Sequence, residues 1–193
     1  MRSATREDKD LVVDILTSSF SENASINYLI PDRGDRIGRI RHLMDYSFEL
    51  CLLFGKAFVS DDGKGCALVL LPARKQTTLR TILLEAKLIA RAISVGNIFK
   101  ALRRESLVVR HHPDYPMYHL WFVGVMPSHQ KQGTGTRLLT EIIDDARRMD
   151  YPVYLETSTL SNMPWYRKFG LSVYGQIELN YNLLLLTNDA RRV

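Results

Sequence analysis

The chain has 193 residues, 46% of them apolar and 24% charged, with a net charge of +5. That is a soluble globular balance in a length that suits one domain, residues 1–193, with a proper core. The basic residues are spread over 33–41, 74–87 and 100–104 instead of forming one aromatic-interleaved platform, which argues against a nucleic-acid partner.

Cys51 and Cys66 sit in apolar surroundings without C-x-x-C spacing, so buried thiols in a reducing compartment, and a cytoplasmic protein, are expected. The longest apolar segments, such as Thr81 to Val95, are broken by Glu85, Lys87 and Arg91, and no apolar core precedes a small-residue cleavage site. Neither a signal peptide nor a membrane partner is expected.

In chain order, Ser3 to Thr5 ends a first strand, and Thr5 with Asp8 suggests a cap before an amphipathic helix carrying Leu11, Val12, Ile15, Leu16 and Phe20. Residues 27–34 read as a loop, and Ile37, Ile40, Leu43, Met44, Phe48 and Leu52 mark a second helix ending near Gly55. Ala57 to Ser60 and Cys66 to Leu71 flank Asp61-Asp-Gly-Lys-Gly65, a hairpin signal. Leu79 to Arg104 is helical again, with a break at Gly96-Asn97, and His111 to Pro116 is a loop. Strand Tyr118 to Val125 follows, then a helix opened by Gly135 and Thr136, strand Val153 to Glu156, helix Asn162 to Phe169, and strands Leu171 to Ile177 and Asn180 to Leu186.

The richest stretch is Val123-Gly-Val-Met-Pro-Ser-His-Gln-Lys-Gln-Gly-Thr-Gly-Thr-Arg-Leu-Leu139, a strand that runs through a Gly-rich turn into an amphipathic helix. Gly133 and Gly135 remove Cβ atoms that would stop backbone N–H groups converging on an anion, and the helix turns its positive end to the same point. A pyrophosphate is the expected ligand. A Walker loop is excluded, because no Gly is followed by Lys and then Ser or Thr at the required distance. A dinucleotide fingerprint is excluded because the position three after Gly135 is Leu138.

Gln130-x-x-Gly133-x-Gly135 after Val125-x-Pro127 resembles the acetyl-coenzyme A loop of the GNAT N-acetyltransferases. Downstream, Tyr154-Leu-Glu-Thr-Ser158 and Asn162-Met-Pro-Trp-Tyr166-Arg-Lys-Phe-Gly170-Leu171 resemble that family's closing strand, short helix and Y-x-x-x-G-F turn, with Leu171 in place of Phe. The combination is similar to the family's puromycin N-acetyltransferase-like branch, whose members acetylate amines of small molecules. The specific resemblance covers about residues 118–178.

The resemblance implies an α/β (α+β) fold, a single mixed, mostly antiparallel twisted sheet splayed between strands 4 and 5 and flanked by helices. Helices within about 6–54 and 79–110 would lie on the acceptor side, and the second of these either walls or lids the acceptor pocket or thickens the core. Acetyl-coenzyme A would be held by backbone groups of Val123 and Val125 and by Gln130, Lys131, Gln132, Gly133, Thr134, Gly135 and Thr136, with a strand bulge eased by Gly124 freeing the backbone for pantetheine. Asn162 would bond the pantetheine arm, cap its own helix, or both.

Tyr166, four residues on and so on the same helix face, would be the general acid for the leaving thiolate. His119 and Glu156 are rival bases, and Glu156 could instead anchor the substrate ammonium. Trp165 and Phe169 read as core. His111 and His112 read as loop histidines that form no metal set with His119, and no metal is required. The activity implied is acetyl transfer to a small-molecule amine by direct attack in a ternary complex, in a monomer or homodimer. The alternatives are a protein or peptide N-acetyltransferase, or a catalytically silent coenzyme A-binding sensor or scaffold.

Overall fold

Residues 1–192 are described by the structure, a computed structural model. The strands are β1 (Arg2–Ser3), β2 (Gly55–Val59), β3 (Gly65–Leu70), β4 (Tyr118–Val125), β5 (Val153–Thr157), β6 (Ser172–Glu178) and β7 (Asn182–Thr187). They form one open sheet in the order β1-β2-β3-β4-β5-β7-β6. Every neighbouring pair is antiparallel except β4 with β5. This is the mixed, mostly antiparallel sheet that the resemblance implies.

Two apolar layers sandwich the sheet, and β3 shows how its sequence feeds both. Cys66, Leu68 and Leu70 join the core beneath α1 (Lys9–Phe20), α2 (Ala24–Leu29) and α3 (Arg36–Phe54). Ala67 and Val69, pointing the other way with the period of a strand, join Leu138, Leu139, Ile142 and Ile143 on the far side. Both cysteines are fully buried free thiols, pushed up by that burial.

The segment 27–34 is not all loop. The Asn23 side chain accepts hydrogen bonds from the Ser25 and Ile26 N–H groups at 2.9 and 3.3 Å, and this cap starts the short helix α2. The insertion is α4 (Leu79–Leu88), a π turn (Ile89–Ile93) and α5 (Ile98–His111), with its bend at Ser94, whose φ is 67°. After β4 come α6 (Thr134–Arg148) and, beyond β5, α7 (Met163–Arg167).

A bulge does occur in β4, at Trp121 and not at Gly124. Leu68 pairs with Phe122 and Val69 with Leu120, which leaves Trp121 as the extra residue and turns both Trp121 and Phe122 toward the α1–α3 side. Gly124 has a different reason. A Cβ there would lie 3.0 Å from Leu16 Cδ2 and 3.1 Å from Ser19 Oγ, so its absence lets α1 settle against β4. Gly124→Val should therefore lower stability by about 1–3 kcal/mol, from overpacking of a seam with no slack, measured by denaturant unfolding.

Candidate active site

The site is created where the sheet stops being a sheet. β4 and β5 are paired only through Tyr118 with Val153 and His119 with Tyr154, and beyond them the strands part. The Val125 carbonyl accepts from Gln130 Nε2 at 3.2 Å and lies 2.8 Å from Ser19 Oγ, so the Val125 backbone faces away from β3. By the two-residue alternation of an antiparallel ladder, the backbone of Val123 faces the same gap. The Gln130 side chain and Ser19 thus hold the strand end in place; Ser19, on an ordinary amphipathic helix, carries no sequence signal for this role.

The loop after β4 turns sharply through Lys131 and Gly133, at φ 62° and 88°. Gly133, in the left-handed region that favours glycine, is the N-cap, so α6 begins at Thr134, earlier than Gly135–Thr136 as the sequence suggests. No side chain caps the helix, and its first-turn N–H groups have no acceptor within the helix. Gly135 is not forced by crowding. A Cβ there would meet Val125 Cγ2 at 3.6 Å and Trp165 Cζ2 at 3.7 Å, ordinary contacts. Lys131, Gln132 and Thr136 are exposed beside it, and Thr134 is buried with its hydroxyl 3.2 Å from Asp62 Oδ2.

Trp165 is only half core. Its indole N–H donates to Thr136 Oγ1 at 3.1 Å, tying α7 to the first turn of α6, while its ring packs edge-to-face on Phe169.

On the other side of the parted strands lies a cavity of about 1000 Å³. Val123, His119, Glu156, Asn162 and Tyr166 all line it, whereas Val125 and residues 130–136 lie outside. Asn162 occupies the N-cap position of α7 but its side chain makes no capping bond. Tyr166 is buried, and burial pushes its phenol up to about 12 against the opposing pull of the Thr157 hydroxyl. It stays protonated throughout the physiological range.

His119 and Glu156, rivals in the sequence, are partners in the structure. His119 Nε2 stands 2.9 Å from Glu156 Oε2, and His112 Nε2 stands 3.5 Å from Oε1. Register explains the first contact, since Tyr154 lies opposite His119 and Glu156 follows two residues later on the same face of β5. The strand is steadied from below by Tyr154, whose hydroxyl donates to the buried Asp189 at 2.8 Å.

His112 lies just past the end of α5 in extended backbone, as expected of a loop histidine, but it lines the cavity beside Glu156, while His111 is the last residue of the helix. His111 does stay local, with Nδ1 2.8 Å from the Leu107 carbonyl.

Burial alone would raise the Glu156 carboxyl, but the two imidazoles reverse that and hold it well below the carboxylate range. Burial alone would lower His119, and the Glu156 charge overrides it and holds the imidazole above its usual value. The pair therefore favours a carboxylate facing an imidazolium, and the imidazole becomes neutral as pH rises through its elevated titration. The ligand atoms of His112, His119 and Glu156 lie within 4.8 Å of one another, the composition of a transition-metal site. That grouping corrects the expectation that His112 forms no metal set with His119.

The mixed sheet with its single, parting parallel pair agrees with the comparisons. The acetyltransferase (GNAT) family model matches residues 8–171. The chain belongs to that family, and it is an N-acetyltransferase of the GNAT type.

Among similar solved structures is a protein titled histone acetyltransferase HPA2 and related acetyltransferase, from Corynebacterium glutamicum. It has 20% identity and a TM-score of 0.69, over 97% of this chain and 93% of that one. A mosquito protein named arylalkylamine N-acetyltransferase like 5b matches at 13% identity and TM-score 0.60, over 96% and 97%. Naa20 of Chaetomium thermophilum, solved with a bisubstrate analogue, matches at 15% and 0.51, over 99% and 86%. At these identities the likeness is one of fold.

In this GNAT enzyme the elevated His119 basicity depends on one charge. Glu156→Gln removes that charge and leaves burial as the dominant influence. The His119 titration, followed by imidazole NMR, should move from above the ordinary histidine value to below it; an unchanged midpoint would show that the pair is not coupled.

Proposed function

We propose that this acetyltransferase moves acetyl from acetyl-coenzyme A to the primary amine of a small molecule carrying an apolar or aromatic body, by direct attack with both substrates bound. The observation that carries the reading is the single cavity lined at once by the His119–Glu156 pair, by Tyr166 and Asn162, and by Val123 of the open strand. Its far wall is apolar, with Phe20, Leu29, Tyr46, Trp121 and Phe122, which suits an antibiotic-like amine or metabolite with aromatic surface better than a sugar-like one. The insertion supplies a wall through Ala101, Glu105 and Val108, closing what a peptide would need as an open groove.

Several features support this reading of the donor site. The open N–H groups at Gly133–Thr136 suit a pyrophosphate at a helix start, and the gap-facing backbone of Val123 and Val125 suits pantetheine lying alongside β4 like an added strand. A backbone N–H on this edge, at Val125, stabilises the oxyanion of the acyl transfer. Asn162 bonds the pantetheine amide. Glu156 attracts the incoming ammonium, and His119 in its neutral form takes the proton that the amine must lose to become a nucleophile. Tyr166 returns a proton to the leaving thiolate. Cys51 and Cys66, buried in the core and absent from the cavity wall, offer no covalent route.

Calorimetric titration with acetyl-coenzyme A, followed by thiol release against a panel of amines that includes puromycin and arylalkylamines, tests the reading. Binding with amine-dependent release is expected, and Tyr166→Phe should keep the binding while turnover falls roughly a hundredfold or more. Release only with peptide N-termini would move the acceptor class to polypeptides. Binding without release would leave a sensor, and no binding would overturn the donor site.

A further inference from the structure

The helical insertion walls the cavity and also exposes large apolar side chains to solvent. On α4, Leu79, Ile82 and Leu83 project outward, Leu79 at 83% exposure. On α5, Phe99, Leu102 and Val109 form a stripe at helical spacing, with Phe99 at 84%, and Val95 stands exposed in the bend between the helices. Large apolar side chains exposed to this degree are concentrated here: seven of the eleven on the described surface lie between residues 79 and 109. Apolar side chains gathered in this way mark an interaction site.

Charge identifies the partner. Residues 74–110 hold nine Lys or Arg against two Glu, a local +7 in a chain whose total is +5. Among the described residues, Arg74, Lys75, Arg91, Lys100, Arg103 and Arg110 have no acidic partner. Arg103 and Arg110 are seven apart on α5, so they form a basic row beside the Phe99–Leu102–Val109 stripe. An exposed apolar stripe bordered by free cations is the design of a helix that lies in the boundary of an anionic bilayer, its apolar side chains among the acyl chains and its cations at the head groups. A second copy of the chain fits poorly, because it would set +7 against +7. Nucleic acid would use the cations but has no use for a mostly aliphatic stripe.

We infer that the α4–α5 insertion docks the enzyme peripherally on an anionic lipid surface. This goes beyond the sequence-based expectation of no membrane partner, which rested on the lack of a spanning segment. Among the described residues no helix is long and apolar enough to cross a membrane, and the docking needs none. Leu102 and Val109 belong both to the exposed stripe and to the wall of the acceptor cavity. The docked face therefore includes the cavity rim.

The test is sedimentation of the full chain with phosphatidylcholine vesicles, with and without about a third phosphatidylserine. Binding is expected only with the anionic lipid and should weaken as salt rises. Arg103→Ala with Arg110→Ala should cut the partition roughly 25-fold, about fivefold for each cation, and Phe99→Ser with Leu83→Ser should abolish insertion. None of these four residues lines the cavity, so acetyl-coenzyme A affinity reports that the variants are folded. Equal binding to neutral and anionic vesicles, or anionic binding untouched by Phe99→Ser with Leu83→Ser, would overturn the proposal. So would a doubled mass in light scattering, lost in that variant, without vesicle binding; this would assign the patch to a second copy.

Discussion

Everything that distinguishes this molecule from a plain twisted sheet follows from the parting of β4 and β5 after Tyr118 and His119. A strand pair that separates leaves backbone donors and acceptors without partners, which is costly unless something else satisfies them. Here one carbonyl is taken by Ser19 and Gln130, and the remaining polar edge of Val123 and Val125 is the one proposed to receive the donor. The parting also opens the space between the two apolar layers, and the bulge at Trp121 faces that space with aromatic rings on the acceptor side. The proposed donor slot and acceptor cavity are thus two consequences of one irregularity in pairing.

The His119–Glu156 pair sits at the root of the gap, next to the last residues that remain paired. Its position explains its electrostatics. A carboxylate this deeply buried is tolerable only with compensating charge or hydrogen bonds, and His119 and His112 supply them from β4 and from the end of α5. The insertion is therefore not an appendage. It contributes His112 to the buried cluster, Ala101 and Val108 to the cavity wall, and an outer face whose charge and apolarity differ from those of the remaining surface.

Much of this was legible in the sequence because the signals are local. The order of strands and helices follows from periodicity, and the loop from Gln130 to Thr136 could be read because glycine spacing reports backbone conformation directly. Gly133 bears that out at φ 88°. What the sequence hid are relations across the sheet. Gly124 looked like the bulge because a strand glycine often is one, but its reason is the approach of α1, a contact 105 residues away at Ser19. His119 and Glu156 looked like competitors because nothing local reveals that register sets them on one face. His112 looked like no more than a loop residue, and Trp165 like core, because each is defined by a partner distant in sequence, Glu156 and Thr136. Helix α2, capped by Asn23, went unread because it is only six residues long and runs into a turn.

The central claim is that the open edge of β4 receives the donor. Amide hydrogen exchange of Val123 and Val125, measured by NMR before and after acetyl-coenzyme A is added, tests it most directly. Their amides should exchange readily in the free enzyme and become protected on binding, together with those of Gly133 to Thr136. Saturating binding that protects the loop but leaves Val123 and Val125 as fast as before would contradict the account.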